Sequence, residues 1–168
     1  MKLWNWIGFG VVTLSGTILH FLYDWTGGSI WAAAFSGVNE STWEHMKLLF
    51  WPLFIFALVQ RCFFREQENF WSVKLWGTLL GLVLIPVLFY TWNGAFGKSP
   101  DWLNIAIFYL AAGAVFLFEC RAFQTARPSR LAFAVLCLVG ALFIIFTFVP
   151  PHVPLFQDPV TGFYGTEQ

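Results

Sequence analysis

The chain has 168 residues, 58% of them hydrophobic and only 11% charged, with 21 Phe, 10 Trp and a formal net charge of zero. A mean hydropathy of +0.68 exceeds what a soluble domain can hide from water, so the composition excludes an ordinary soluble globule and points to an integral membrane protein. With no excess of positive charge, nothing suggests a nucleic-acid partner.

A membrane span needs about 20 apolar residues to cross about 30 Å of hydrocarbon. Five stretches come close to that length, at 3–23, 46–64, 70–92, 102–122 and 131–149. The expected fold is therefore an all-α integral membrane protein with five transmembrane helices in a single domain over 1–168. Positively charged loops are retained in the cytoplasm. With five spans, Lys2, Arg61, Arg65, Lys74, Arg121, Arg127 and Arg130 fall on one side and only Lys47 and Lys98 on the other. This predicts the N-terminus inside and the C-terminus outside. A cleaved signal peptide is the competing reading of the first stretch, because Lys2 precedes an apolar run and Ala32-Ala33-Ala34 loosely resembles a cleavage site. The run is longer than a signal core, contains Asn5, Thr13, Ser15 and Thr17, and ends well before those alanines.

In the first span, Thr13, Thr17, His20 and Asp24 are spaced to share one helical face. Gly8, Gly10 and Gly16 would let a second helix approach closely. The two threonines are expected to bond their own preceding carbonyls, whereas His20 and Asp24 are ionisable groups near membrane depth, where such groups are costly and usually functional. Thr26-Gly27-Gly28-Ser29 then reads as a turn. The apolar run 30–35 is too short to cross and reads as a re-entrant or interfacial segment.

Asn39 to His45 is the densest polar and ionisable cluster in the chain. Ser41-Thr42-Trp43-Glu44 matches a capping box, in which Glu44 would reach back to the cap amide, so the second helix is expected to start at Thr42. Lys47 can form a helical ion pair with Glu44. Pro52 frees the carbonyl of Leu48 and predicts a kink below the cluster. Capping leaves Asn39, Glu40 and His45 without an explanation.

Beyond the last span, Pro150 to Gln168 is rich in Pro and Gly yet carries Val153, Leu155, Phe156, Phe163 and Tyr164. Such side chains favour burial, so the tail is expected to fold over the outer face of the bundle. That arrangement would bring His152, and Asp158 with it, toward His20 and His45. Cys62 and Cys120 fall near cytoplasmic ends and Cys137 inside the fifth span, which argues against a structural disulfide or a Cys-rich metal site.

The run Val38-Asn39-Glu40-Ser41-x-Trp43-Glu44-His45-x-Lys47, with His20 upstream and Pro-Leu-Phe-x-Asp-Pro-x-Thr-Gly-x-Tyr-Gly from Pro154 to Gly165, resembles an uncharacterised family of small bacterial polytopic membrane proteins. The resemblance covers nearly the whole chain. It implies a bacterial inner-membrane address and no particular activity. A looser similarity, to the alkaline ceramidase and progestin-receptor superfamily, transfers no residues, because that superfamily has seven spans and paired histidines on the last one.

Three histidines with nearby carboxylates form an inventory able to bind zinc, whose catalytic sites use three protein ligands and an open fourth position. The first functional expectation is thus a metal-dependent hydrolase of a lipid or lipid-linked substrate, working at the extracytoplasmic face of the cell membrane. His20, His45 and His152 would be metal ligands, and Asp24, Glu40 or Glu44 the catalytic carboxylate or its partner. Two other classes compete with it. One is a transporter or channel component that binds an ion or small solute in the same vestibule, with Pro52 and Pro86 as helix breaks. Five spans do not divide into two equal repeats, although a homo-oligomer would restore symmetry. The other is a non-catalytic assembly or partner protein whose polar cluster is a lid. All three place the protein among membrane lipids.

Overall fold

A computed structural model describes residues 2–166 and is helical, with no β-strand among the described residues. In chain order the helices are α1 (Lys2–Trp25), α2 (Ile30–Phe35), α3 (Thr42–Phe63), α4 (Phe70–Phe96), α5 (Asp101–Thr125) and α6 (Ala132–Phe148), followed by a 3-10 turn over Pro154–Phe156. Four of them, α1, α3, α4 and α5, are long and apolar enough to cross a membrane. The apolar helix α6 has 17 residues, which at 1.5 Å per residue is about 25 Å.

α1, α3, α4 and α5 share one core built on Val12, Leu49, Leu53, Phe56, Ile85, Ala111 and Val115. A second layer, centred on Phe50, Leu82, Leu136 and Phe143, attaches α6 to α3 and α4. Leu14, Ile55, Val83, Leu110, Leu117 and Leu138 instead point outward and are exposed. An apolar exterior of this kind is what a bundle surrounded by lipid requires, and in water it would be a large exposed patch.

Close approach is localised at glycines. A Cβ on Gly8 would lie 2.5 Å from Phe116 and 2.6 Å from Phe56, and one on Gly81 would lie 2.6 Å from Val115. On Gly16 it would meet the Leu48 carbonyl oxygen at 2.9 Å. That carbonyl is the one Pro52 leaves without its helical donor, so the glycine face of α1 seats against the carbonyl freed in α3. Gly10, expected on the same packing face, has nothing within 4 Å. Two residues on from Gly8, at 100° per residue, Gly10 lies about 200° around the helix and so faces away from the interface.

The polar residues gather at the two ends of the bundle. One end carries Arg61, Arg65, Arg121, Arg127 and Arg130, and the other carries His20, Glu40, His45, Lys98 and the tail; they are called here the arginine end and the histidine end. Lys74, which the sequence reading counts among the retained loop charges, is instead inside the bundle. Its Nζ lies 2.6 Å from Glu119 Oε2, with both side chains buried, and the rings of Phe56, Phe70, Phe116 and Phe123 surround it at 5.6–5.9 Å. Lys47 is likewise buried against Glu44 at 2.6 Å. Neither lysine is a loop charge. Setting both aside removes one from each side of the count and makes the asymmetry steeper.

Candidate functional site

The segment Val38–Lys47 organises the histidine end, and nearly every polar residue in it has a separate task. Asn39 accepts from the Ser41 amide at 2.9 Å through Oδ1, an Asx-type turn, and its Nδ2 donates to the Gly165 carbonyl at 2.9 Å. Ser41 caps α3 by accepting from the Glu44 amide at 3.4 Å. The reciprocal half of the expected capping box does not form. Asn39 already occupies the Ser41 amide, and Glu44 turns inward, taking the Val38 amide at 3.1 Å and the Lys47 ammonium at 2.6 Å.

This inward half is a closed network. Lys47 Nζ also donates to the Ala33 carbonyl and to Thr147 Oγ1, each at 2.8 Å, and Glu44 Oε1 lies 3.2 Å from Thr147. Lys47, Thr147 and Glu44 are 0%, 0% and 2% exposed. One buried cluster therefore ties α2, α3, α6 and the 36–41 loop together. Its charges are paired and hydrogen-bonded, as buried charges must be. The short helix α2 contributes the carbonyl that receives Lys47, and its buried Ala32, Ala33 and Ala34 let it lie close to its neighbours.

The outward half is open. His20 Nε2 lies 3.6 Å from Glu40 Oε1, and His45 Nε2 lies 3.5 Å from Glu40 Oε2. The two imidazole centroids are 5.7 Å apart. His45 Nδ1 is 2.9 Å from the Ser41 carbonyl oxygen. A carbonyl only accepts, so Nδ1 must carry the proton, and Nε2 of the neutral ring is left with its lone pair toward Glu40. The Nε2 atoms of two helices and the carboxylate of the loop between them thus meet at one focus, a place suited to a shared proton or another cation.

These three side chains lie on the wall of a cavity of about 770 Å³, a size typical of ligand pockets. Its apolar wall includes Phe21, Leu48, Phe89, Ile105 and Phe108, and its polar rim includes Asn93, Lys98, Ser99, Asp101 and Asn104. Ser99 donates to Asn104 Oδ1 at 2.8 Å, and its amide donates to Asn93 Oδ1 at 2.8 Å, so the α4–α5 turn is locked in place. Gly97, with φ of 84°, ends α4 and permits that turn. Ile105 of α5 and Phe21 of α1 line the cavity and are also 60% and 45% exposed.

The tail closes part of the cavity. Phe156 packs on Trp43 at 4.7 Å and on Phe146 at 5.5 Å. Tyr90 donates to the Pro154 carbonyl at 3.1 Å. Asp158 shapes the next turn by accepting from the Val160 amide at 2.7 Å and from Thr161 Oγ1 at 2.9 Å. This turn presents Pro159 and Val160, and not Asp158 itself, to the cavity. Residues 167 and 168 of the tail lie outside the described residues.

Of the residues singled out from the sequence, His20, Glu40 and His45 are together in the cavity. His152 packs edge-on against Tyr164, with ring centroids 4.8 Å apart within the tail, and is not on the cavity wall. Asp24 is exposed one turn beyond His20, and Glu44 is sealed in the Lys47 network. Thr13 and Thr17 bond the preceding carbonyls of Phe9 and Thr13 at 2.8 and 2.9 Å. Among the described residues, no three His, Cys, Asp or Glu side chains are grouped as a metal ion requires. Lys98, counted only as a loop charge, and Ser99 and Asp101 were not among the site residues expected from the sequence. Their one signal was the Gly97-to-Pro100 turn between two apolar helices.

A family model matches residues 1–166, nearly the whole chain. The chain belongs to DUF6512, a family of unknown function. No curated protein and no solved structure matches it. With four helices able to span a membrane, this is a membrane protein of unknown function within that family.

Proposed function

We propose that the protein is a multi-pass membrane enzyme that hydrolyses a lipid or lipid-linked substrate, using His20, Glu40 and His45 for acid–base chemistry. The observation that carries this reading is the convergence of both Nε2 atoms on the Glu40 carboxylate at the polar end of a largely apolar cavity. An amphiphile fits such a space, with its chain against Phe21, Ile105 and Phe108 and its head at the histidines. In this reading the substrate enters from the bilayer past the exposed Phe21 and Ile105.

In this reading His45 is the general base, since its Nδ1–H is engaged by the Ser41 carbonyl and Nε2 is free to accept. It takes a proton from water as the water oxygen attacks the ester carbon or phosphorus. That proton reaches the departing oxygen by way of Glu40 and His20, so both rings end as they began. Glu40 stands between the rings, favours the cationic form of whichever is protonated, and relays charge compensation as the proton changes side. Lys98 at the rim supplies a positive charge for an anionic head.

We further propose five spans, with α6 the fifth, the arginine end in the cytoplasm and the histidine end extracytoplasmic, following the loop charges. The bacterial inner membrane is the proposed address. A second reading uses the same focus: His20, His45 and Glu40 have the residue types of a two-histidine, one-carboxylate zinc set, although they are not grouped as a metal ion requires where they stand. It would require the three groups to close around the ion.

The test is turnover in lipid nanodiscs containing phosphatidylethanolamine and phosphatidylglycerol, with a polyprenyl phosphate ester added, and products identified by mass spectrometry. Wild-type protein should release a water-soluble head group, and His20→Ala and His45→Ala should lower the rate by about 10²–10⁴, the usual contribution of acid–base groups. Activity without metal and unaffected by chelator supports the proton mechanism; activity dependent on added zinc supports the second reading. No product from any of these lipids, together with solute flux in proteoliposomes abolished by Glu40→Gln, would replace the hydrolase with a transporter.

A further inference from the structure

The arginine end carries a second concavity, separate from the histidine cavity, on the outside of α4 and α5. Trp76 of α4 forms one wall. Ala114, Phe118, Ala122 and Thr125 run along α5 as the floor, and Arg121 and Arg127 stand at the open end. Ala114, Phe118, Ala122 and Thr125 recur at helical spacing, so they form one continuous stripe. The small Ala114, Ala122 and Ala126 make the surface concave, while Trp76 is 60% exposed beside it.

Charge and length together define what fits. Arg121 and Arg127 are exposed, and no acidic side chain lines the groove among the described residues. Glu119, the nearest acid in sequence, is turned inward and held by Lys74 at 2.6 Å, so it does not neutralise the pair. From Ala114 to Thr125 the stripe extends about 16 Å at 1.5 Å per residue. That is about half of a hydrocarbon core of about 30 Å, or one leaflet. A ligand with a negative head and an apolar body one leaflet long matches both features.

We propose that this groove binds an anionic glycerophospholipid, with the phosphate between Arg121 and Arg127 and an acyl chain along Phe118 and Ala114 against Trp76. Two guanidinium groups can share the phosphate oxygens through paired N–H donors. Trp76 has the amphipathic ring that suits the headgroup boundary. Basic pockets on the faces of spanning helices bind such headgroups through the same chemistry. The groove thereby fixes α4 against α5 at the end opposite the histidine cavity.

Native mass spectrometry of the detergent-purified full chain, with phosphatidylglycerol or phosphatidylcholine of matched chains added, tests the assignment. Phosphatidylglycerol should be retained in preference to phosphatidylcholine, and Arg121→Gln with Arg127→Gln should lower its retention about tenfold or more. The control pair Arg65→Gln with Arg130→Gln changes the same net charge at the same end outside the groove and should leave retention within about twofold of wild type. Trp76→Ala should shorten retention of both lipids without changing the preference. Equal retention of the two lipids by wild-type protein, or equal loss in the control pair, would overturn the proposal.

Discussion

Two carboxylates four residues apart in one short segment meet opposite fates. Glu44 is 2% exposed and bonded to Lys47, Thr147 and the Val38 amide, whereas Glu40 has a side chain 49% exposed between two histidines. Glu44 lies in the first turn of α3, facing α2 and α6, and Glu40 lies in the loop before it, facing the cavity. The difference separates what holds the histidine end together from what is free to react there. A charge whose every lone pair is occupied by the protein has nothing left for a substrate. A charge shared loosely with two imidazoles at 3.5 and 3.6 Å can exchange those partners for one.

The largest expected effect lies on the sealed side. Lys47→Met or Glu44→Gln leaves its partner buried without full compensation and should destabilise the protein by about 3–5 kcal/mol, seen as a lower midpoint in thermal unfolding in detergent. The double replacement Glu44→Gln with Lys47→Met should recover part of that loss, because no uncompensated charge remains. Additive losses in the double variant would break the comparison, since they would show that the two groups act separately.

A smaller effect is expected where the tail is pinned. Gly165 has φ of +60°, and a Cβ there would lie 2.7 Å from the Thr147 carbonyl oxygen. Gly165→Ala should cost about 1–3 kcal/mol through backbone strain and loosen the grip of Asn39 on the Gly165 carbonyl. Limited proteolysis should then cleave the tail faster, with the helical bundle intact. Unchanged cleavage would show that the tail is held by Phe156 and Tyr90 alone.

The smallest effect on stability belongs to the open side. His20→Ala, His45→Ala and Glu40→Gln remove long, partly exposed contacts and should each shift stability by no more than about 0.5–1 kcal/mol, measured by the same unfolding midpoint. A loss approaching that of Lys47→Met would move these residues to the structural half of the segment and sharpen the comparison against the enzyme reading.

The helical membrane architecture was legible because apolar length and composition are strong signals that context seldom overrides. The start of α3 at Thr42 was legible too, since a Ser cap followed by an apolar run is a local signal. The gathering of His20 and His45 follows once the helices alternate direction, because both lie at the same end. The inward turn of Glu44 was not legible. It depends on Ala33 and Thr147, which lie 14 and 100 residues from Lys47, and no local pattern encodes such meetings. Lys74 escaped for the same reason: its partner Glu119 is 45 residues away, and a lysine in the second turn of a span reads as a loop charge until the opposing helix is placed. The tail's docking could be read from Phe156, which is buried, but Val153 and Phe163, expected to bury with it, stay exposed, and the residues it presents could not be read. Asp158 is spent on its own turn, so the cavity receives Pro159 and Val160.

The most direct test of the division between the two halves is product formed per folded molecule by Glu40→Gln and by Glu44→Gln, in the same lipid nanodiscs used for wild-type protein. Glu40→Gln is expected to be fully folded and to lose turnover by about two orders of magnitude or more, while Glu44→Gln is destabilised but, per folded molecule, turns over near the wild-type rate. Full turnover by Glu40→Gln, with loss confined to folded Glu44→Gln, would contradict that division.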